Sequence, residues 1–128
     1  MNVRDASERS GLPSKTLRYY DEICLVIPER RDNGYRDYDS RAVQKLAFLK
    51  RARQLGFSIE DCRQLLSLYE DKKRASADVK TLAENHLKEI DERLKELQEL
   101  RDTLKHLIQT CHGDDRPDCP ILEGLSAD

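Results

Sequence analysis

The feature that most constrains this chain is a stripe of leucine and isoleucine residues near its C-terminal end. Their spacings alternate between three and four residues, which is the heptad pattern of a coiled coil. The stripe comprises Leu87, Ile90, Leu94, Leu97, Leu104 and Ile108, and it is widened by Leu100 and Leu107. A helix over residues 76–110, at about 1.5 Å per residue, is a rod of about 50 Å. Such a rod cannot bury its own stripe, so the pattern predicts a dimerisation helix that pairs with a second copy. Packing back onto the N-terminal part of the same chain is the alternative.

The composition favours helical domains over a large globular core. Of the 128 residues, 38% are apolar and another 38% are charged, a balance typical of long amphipathic helices and dimers rather than of a globular enzyme. No apolar run reaches the roughly 18 residues that a membrane-spanning helix needs, and residues 1–5 hold no hydrophobic signal region. We therefore expect a cytoplasmic protein with no membrane partner, whose four cysteines are reduced thiols.

Residues 2–20 have the pattern of a helix-turn-helix. Gly11 supplies the turn, and Pro13 and Ser14 stand where the second helix begins. In such a motif the second helix enters the major groove, and polar side chains near its start reach the DNA. The predicted DNA-binding residues of this helix are Lys15, Thr16, Arg18 and Tyr20. For Tyr20, packing beneath the helix is the alternative to a contact with the DNA backbone.

An Asn-Gly pair at residues 33 and 34 signals a β-hairpin, which we interpret as a short β-wing. The basic and aromatic side chains around this turn suit contacts with phosphate groups. The candidates are Arg30, Arg31, Tyr35 and Arg36, together with Arg53 from the helix that follows. A solvated charged surface with core tyrosines is the alternative interpretation.

Two further helices complete the N-terminal part. Asp39 or Ser40 caps a helix that runs to about Gln54, and Ser58 begins another. The second of these helices is predicted to bury Ile59, Cys62, Leu65, Leu66 and Tyr69. The chain is therefore predicted to have three parts. Residues 1–70 form a DNA-binding domain, residues 71–110 form a connector and the dimerisation helix, and residues 111–128 form a loop with a short final helix.

The formal net charge of −2 conceals an uneven distribution. Residues 1–70 hold 13 Lys and Arg against 11 Asp and Glu, whereas residues 71–128 hold 10 against 14. Residues 40–59 contain five basic side chains and no acidic one. A local basic surface matters more for phosphate binding than the sum over the chain. The net negative charge therefore does not exclude binding to nucleic acid.

Three blocks of the sequence, taken in their order and spacing, resemble the MerR family of bacterial transcription regulators. They are RYYDE at residues 18–22 followed by LV at residues 25–26, NGYRDY at residues 33–38, and LKRARQLGFS at residues 49–58. The resemblance covers the architecture of residues 1–110. It implies a mainly α fold with a winged helix-turn-helix domain, a long antiparallel coiled-coil dimerisation helix, and binding of a homodimer to a palindromic promoter. It also implies that an effector makes the dimer bend and untwist the promoter, which realigns its elements for RNA polymerase.

Two positions depart from the family pattern. Cys24 stands where the family usually has a glycine, which lets the chain leave the recognition helix in a left-handed conformation. A cysteine must either adopt that conformation at a cost or end the helix differently. Pro13 stands where a capping Ser or Thr is common. Both positions bear on the pose of the recognition helix.

Cys111 and Cys119 flank a seven-residue loop after the long helix. Two thiolates on one loop can bind a soft d¹⁰ cation, although their spacing alone leaves open the alternative of two unrelated thiols. The loop is rich in Asp and contains Gly113, surroundings that argue against buried structural cysteines. Cys62 differs, because it lies on the apolar face of a helix and is predicted to belong to the core.

The loop CHGDDRPDCPI at residues 111–121 and the segment SADVK at residues 76–80 closely resemble those of the copper-efflux regulators of the MerR family. The resemblance implies that Cys111 and Cys119 bind one Cu(I), and also Ag(I) or Au(I). Ser76 stands where the zinc and mercury sensors place a cysteine, so that a third soft ligand is missing, which favours a monovalent ion. His112 and Pro117 are predicted to tune the choice of metal.

Together, these features predict a Cu(I)-responsive transcription activator of copper-efflux genes. It is expected to work as a homodimer on double-stranded promoter DNA with RNA polymerase. One alternative is a sensor of another soft metal, such as Ag(I), Au(I), Hg(II) or Zn(II), with the same architecture. Another is a metal-buffering protein whose helix-turn-helix has lost its role. An enzyme is not predicted, because the sequence shows no nucleophile–base pair and no cofactor loop.

Overall fold

The computed structural model describes residues 1–126 of a mainly helical chain. Its elements follow one another as α1 (Val3–Ser10), α2 (Ser14–Glu22), β1 (Glu29–Arg30), β2 (Arg36–Asp37), α3 (Ser40–Gln54), α4 (Ile59–Glu70), α5 (Ser76–Thr110) and α6 (Pro120–Ser126). The chain divides into two compact units, Met1–Leu82 and Ala83–Asp128. Within residues 1–126, no helix combines the length and the apolarity that crossing a membrane requires.

Short polar side chains begin three of the helices in the first unit. Asn2 accepts a hydrogen bond from the Asp5 backbone N–H at 2.8 Å, Asp39 accepts one from Ala42 at 2.8 Å, and Ser58 accepts one from Asp61 at 3.1 Å. Each bond satisfies a backbone donor that a helix leaves without an intrahelical partner in its first turn. The predicted starts of α3 and α4 are confirmed at Asp39 and Ser58.

The start of α2 lacks such a side-chain cap. Pro13 occupies the capping position in an extended conformation, and its carbonyl accepts hydrogen bonds from the backbone N–H groups of Thr16 and Leu17 at 2.9 and 3.2 Å. A proline here has no N–H to leave unpaired and has its φ angle already near the helical value. The recognition helix therefore begins at Ser14, as the sequence predicts, without a Ser or Thr cap.

The core of the first unit lies between α1, α2, α3 and α4. Helix α1 packs against α2 and α3, and α3 packs against α4. The buried apolar residues of this core are Ala6, Leu17, Tyr20, Leu25, Val26, Tyr38, Leu46, Leu49, Ala52, Phe57, Cys62 and Leu66. Cys62 is fully buried, which confirms its assignment to the core, and burial raises the pKa of its thiol.

Tyr69 corrects the apolar face predicted for α4. Its side chain is 47% exposed at the end of the helix, and its ring stacks on Phe48 of α3 with a centroid distance of 4.6 Å. Lys45 and Glu70 form an ion pair of 2.8 Å between the same two helices. The last turn of α4 is thus held at the surface of α3, because the core ends one turn earlier at Leu66.

The turns that follow α1 and α2 both have a residue with a left-handed backbone. Gly11 ends α1 with φ of +79°, and a Cβ atom there would lie 2.5 Å from Nζ of Lys50. Cys24 adopts φ of +58° after α2, and it is the one non-glycine residue with positive φ among residues 1–126. The cysteine has therefore taken the conformation for which glycine is better suited.

Helix α5 spans 35 residues and buries none of them. Its first turns belong to the first unit, where Leu82 packs against the core. In the second unit, the side chains of the predicted stripe are between 39% and 59% exposed: Leu87, Ile90, Leu94, Leu97, Leu104 and Ile108. The helix has the predicted boundaries of 76 and 110, and its apolar stripe is open to solvent in the single chain.

Candidate nucleic-acid interface and metal centre

The solvent side of α2 carries the basic residues of the predicted recognition helix. Lys15 and Arg18 are exposed and three positions apart, which places them on one face of the helix. Thr16, which lies between these two residues in the sequence, is half-buried. This face can present two cations to the edges and phosphates of a DNA groove.

Tyr20 is a correction to the predicted DNA-binding set. Its side chain is only 4% exposed and belongs to the core with Leu17 and Val26, and burial raises the pKa of its hydroxyl group. The neighbouring Tyr19 is 47% exposed instead. The helical period turns adjacent residues by about 100°, so one of two consecutive tyrosines faces the core, and here it is Tyr20.

The wing is an antiparallel hairpin with Arg30 directly opposite Arg36. The hairpin confirms the Asn-Gly turn, since the Gly34 backbone N–H donates to the Arg31 carbonyl at 2.8 Å. Tyr35 at the tip is 71% exposed. Arg31 pairs with Asp37 at 3.4 Å and stays half exposed. The wing therefore exposes Tyr35, Arg30 and Arg31, whereas Arg36 is half-buried, and their contacts with phosphate stay a prediction.

Asp21 links the end of α2 to the wing, a contact that the sequence analysis did not predict. Its carboxylate accepts hydrogen bonds from Nε of Arg36 at 2.7 Å and from Nη2 of Arg30 at 3.1 Å, and the Asp21 side chain is only 12% exposed. It ties the last turn of α2 to the wing. The sequence offers one indirect signal. A hairpin with its turn at Asn33 and Gly34 places Arg30 opposite Arg36, and two neighbouring arginines are stabilised by an acidic side chain close by.

Arg63 was also missed. It reaches from α4 to the turn after α2, where Nη2 donates to the Ile23 carbonyl at 2.9 Å and Nη1 donates to the Cys24 carbonyl at 3.1 Å. These bonds satisfy carbonyl groups at the end of the recognition helix. Nothing local in the sequence indicates a contact across about 40 residues.

Arg53 lies on the last turn of α3 and is exposed. Its Nη1 donates to the Phe57 carbonyl at 2.5 Å, which fixes the side chain over the turn between α3 and α4. The remaining N–H groups of its guanidinium are available for an external acceptor. Arg53 is compatible with the predicted phosphate contact and also holds this turn.

The two loop cysteines lie together in the second unit. The half-buried Cys111 follows α5, and the half-buried Cys119 immediately precedes α6. The backbone N–H groups of Leu122 and Ile121 and the side chain of Cys111 hydrogen-bond to the Cys119 sulfur and lower the pKa of this thiol. A lowered pKa favours the thiolate, which is the form that binds metal.

The rest of the loop makes contacts of its own between Asp114 and Arg116. Arg116 donates to Asp114 from its backbone N–H at 3.0 Å and from Nε at 2.7 Å, and these bonds lower the pKa of the Asp114 carboxyl. His112 and Pro117 are exposed. Among residues 1–126, no third His, Cys, Asp or Glu joins the two cysteines in a cluster whose ligand atoms all lie within 4.8 Å.

Helix α6 packs on α5 through a glycine. A Cβ atom at Gly124 would lie 2.9 Å from Cδ2 of Leu107, so only a residue without a side chain fits this approach unless Leu107 moves. Leu122 and Leu125 remain 65% and 76% exposed. Ser76, the remaining predicted selectivity residue, is exposed at the first position of α5 and belongs to the first unit.

The helix-turn-helix, the wing and their exposed basic residues define a DNA-binding transcription regulator. The family model "MerR HTH family regulatory protein" matches residues 1–68, and the model "MerR, DNA binding" matches residues 43–107. The chain belongs to the MerR family. The predicted family and the predicted absence of enzymatic function are thereby confirmed, since the members of this family are DNA-binding regulators.

Relatives that align with nearly all of this chain support the assignment to the family. The HTH-type transcriptional regulator HmrR of Rhizobium leguminosarum bv. viciae is 66% identical over 126 residues, which cover 98% of each chain. The heavy metal-dependent transcription regulator 2 of Rhizobium meliloti is 48% identical over 127 residues, 98% of this chain and 86% of the relative. Among solved structures, the transcription regulator PbrR691 from Ralstonia metallidurans CH34 in complex with lead(II) superposes with a TM-score of 0.85 at 27% identity, covering 98% of this chain and 99% of that chain.

Proposed function

We propose that this protein is a Cu(I)-responsive activator of copper-efflux genes that binds promoter DNA as a homodimer. The single observation that carries the metal part is the environment of the Cys119 sulfur. This atom contacts the side chain of Cys111 and accepts backbone N–H bonds from the first turn of α6. A metal ion held by both sulfur atoms would therefore act directly on the start of α6.

The donor set supports a soft monovalent ion. Two thiolates match the preference of Cu(I) for sulfur, whereas Zn(II) in proteins takes about four ligands. The loop also resembles that of copper-efflux regulators, as noted above. Ag(I) and Au(I) share the softness and the charge of Cu(I), so we expect them to bind at Cys111 and Cys119 as well. His112 and Pro117, which are exposed and lie between the two cysteines in the sequence, are proposed to tune the choice among the three ions.

The open stripe on α5 supports the homodimer. Six large apolar side chains between 39% and 59% exposed form one continuous face on a helix with no buried residue. Burying them against a second copy would stabilise the pair by roughly 25 cal/mol for each Å² of apolar surface removed from water. We propose an antiparallel pair, which places the two DNA-binding units on a palindromic duplex.

The DNA contacts are proposed from basic side chains of the helix-turn-helix and the wing. On α2 these are Lys15 and Arg18 with Thr16, and on the wing they are Arg30, Arg31 and Arg36 with Tyr35. Arg53 adds a contact from the end of α3. Phosphate contacts of this kind fix the position of a protein on the duplex, while base contacts select the sequence.

Coupling between metal and DNA would run through α6 and α5. Because Gly124 lies against Leu107, a shift of α6 on metal binding would repack the long helix. That change would alter the angle between the two DNA-binding units, distort the promoter and align it for RNA polymerase. These steps are proposed to take place in the cytoplasm, where thiols stay reduced.

The test is an anaerobic Cu(I) titration read out by X-ray absorption and by transcription in vitro. Wild-type protein should bind one ion per protomer through two sulfur ligands and activate transcription. Cys111→Ser and Cys119→Ser should each lose both responses. Cys24→Ser is the matched control, since Cys24 is exposed but lies outside the loop, and it should behave as wild type. Full activation of the Cys111→Ser variant by copper would contradict the proposal.

The same assay separates the alternatives. A panel of Ag(I), Au(I), Hg(II), Zn(II) and Pb(II) in place of copper identifies a different effector, and lead(II) is included because PbrR691 binds it. A gel shift addresses the metal-buffering alternative. Specific binding of the metal-free protein to a duplex at moderate salt would exclude a buffering role alone.

A further inference from the structure

The wing places two positively charged side chains directly opposite each other. Arg30 and Arg36 are direct partners across a hairpin whose strands have two residues each. Like charges directly opposite each other destabilise a strand pair, and an isolated two-stranded hairpin is marginal in water. The two guanidinium groups therefore need a counter-ion to keep the hairpin in one place.

Asp21 supplies this counter-ion from the recognition helix. Its Oδ2 atom lies 2.7 Å from Nε of Arg36 and 3.1 Å from Nη2 of Arg30. Arg30 uses its second terminal nitrogen, Nη1, to donate to the Gly34 carbonyl at 3.1 Å, so that its head group bridges α2 and the tip of the wing. The side chain of Asp21 is 12% exposed and that of Arg36 22%, whereas that of Arg30 is 52% exposed. The pair with Arg36 is therefore the better shielded of the two.

We propose that Asp21 is a positioning residue for DNA binding: it holds the wing on the recognition helix and orients Arg36 toward a phosphate. The inference rests on the proposed function, in which the wing arginines meet phosphate groups. A guanidinium has five N–H donors in a fixed plane. Because Asp21 occupies the Nε–H of Arg36, the plane is set and the Nη donors stay available for phosphate.

The proposal makes a prediction that is opposite in sign to simple electrostatics. Removing an acid from a DNA-binding surface raises the local positive potential and should strengthen binding to a polyanion. If Asp21 positions the wing, its removal releases two arginines that repel each other, and binding should weaken. The sign of the change therefore separates the two roles.

The experiment compares Asp21→Asn with Glu22→Gln, the neighbouring exposed acid on the same helix. The probe is one duplex enriched from a random-sequence DNA pool on the wild-type dimer, and the readout is affinity across a range of salt concentrations. Asp21→Asn should bind roughly three- to tenfold more weakly with a shallower salt dependence. Glu22→Gln should bind as well as wild type or more tightly. Equal or tighter binding by Asp21→Asn would overturn the proposal.

A double-mutant cycle with Arg36→Gln tests whether Asp21 acts through Arg36. Arg36→Gln alone should weaken binding and reduce the salt slope by about one. In that background, Asp21→Asn should cause a smaller loss than in the wild-type protein, because only the bond to Arg30 is left to break. Additive losses would overturn the proposed route. Asp21→Glu, which keeps the charge, should restore most of the affinity and shows that the effect does not come from misfolding.

The outcomes also separate this inference from the proposed function. If Arg36→Gln and Arg30→Gln both bind as tightly as wild type, neither arginine contacts phosphate, and the proposed function at these two residues and the inference fail together. If these variants weaken binding but Asp21→Asn does not, only the role of Asp21 fails. Thermal unfolding of each variant by circular dichroism controls for stability.

Discussion

The two units of this chain solve the problem of burying apolar surface in different ways. The first, Met1–Leu82, contains all twelve buried apolar residues found among residues 1–126. In the second, which begins at Ala83, no described residue is buried, although α5 displays a row of leucine and isoleucine side chains. The first unit is stabilised by its own packing, whereas the second leaves its apolar stripe exposed in the single chain.

Substitutions in the two units should therefore change different properties of the protein. A core substitution in the first unit should lower the free energy of unfolding without altering association. A stripe substitution in the second should alter association without loosening the DNA-binding core. The difference would be contradicted by a stripe variant that unfolds the first unit, or by a core variant that separates the chains.

The largest effect is expected at the centre of the stripe. Leu94→Glu places a carboxylate of each copy in the proposed interface, at a cost of about 2 kcal/mol per copy, so that association weakens by a factor of ~10³. Analytical ultracentrifugation measures this change directly. Lys95→Glu adds acid at the next position, outside the stripe, and should remain dimeric. A Leu94→Glu variant that dimerises with the same dissociation constant as wild type would contradict an interface on this face.

The next effect concerns the core of the first unit. Leu46 is fully buried on α3, and Leu46→Ala should lower the free energy of unfolding by about 3 kcal/mol through lost burial and the cavity left behind. Urea denaturation followed by circular dichroism measures it. Gln44→Ala, an exposed position on the same helix, is the control and should change stability by less than about 0.5 kcal/mol. The oligomeric state of both variants should match wild type.

A smaller effect of opposite sign is expected at Cys24. Cys24→Gly removes a left-handed strain of about 1–2 kcal/mol but makes the unfolded chain more flexible by about 0.4–1 kcal/mol, so the net gain is about 0.5–1 kcal/mol. Cys24→Ser keeps a Cβ atom at φ of +58° and should leave stability unchanged. Equal thermal midpoints for the Gly and Ser variants would show that the turn is not strained.

The smallest expected effect is a difference in alkylation rate between a cysteine of the first unit and one of the second. Burial raises the pKa of Cys62, whereas backbone N–H groups lower the pKa of Cys119. Cys119 therefore carries more thiolate at neutral pH and should be alkylated by iodoacetamide well before Cys62. Its alkylation should slow as the pH falls through the lowered pKa. Peptide mass spectrometry of the metal-free protein measures both rates, and similar rates would contradict the assignment of Cys62 to the core.

Local signals predicted much of the fold. The boundaries of α5 and the starts of α3 and α4 agree with the sequence interpretation, because caps such as Asp39 and Ser58 act within three or four residues. The hairpin follows from Asn33 and Gly34 for the same reason. Depth of burial was less predictable. Tyr20 proved to be core and Tyr69 surface, because periodicity gives the direction of a side chain but not where the core ends.

In the candidate sites, too, the residue types could be predicted from the sequence, whereas the contacts between segments distant in the sequence could not. The identity of the loop cysteines could be read from the sequence, but their mutual contact and the bonds from Ile121 and Leu122 to Cys119 come from the way the loop returns to α6. Asp21 and Arg63 were missed because their partners lie between 9 and 40 residues away.

The sequence by itself determined where the helices and the hairpin lie. It also determined that α5 carries a long apolar stripe, and which side chains have the chemistry to bind phosphate or a soft metal. These properties depend on periodicity, caps and residue type, which act over a few neighbouring positions. Only the tertiary structure decided which tyrosine is buried, which acid fastens the wing and which carbonyls Arg63 satisfies. Those contacts join distant segments, and their geometry exists only after the core of the first unit has brought α2, the wing and α4 together.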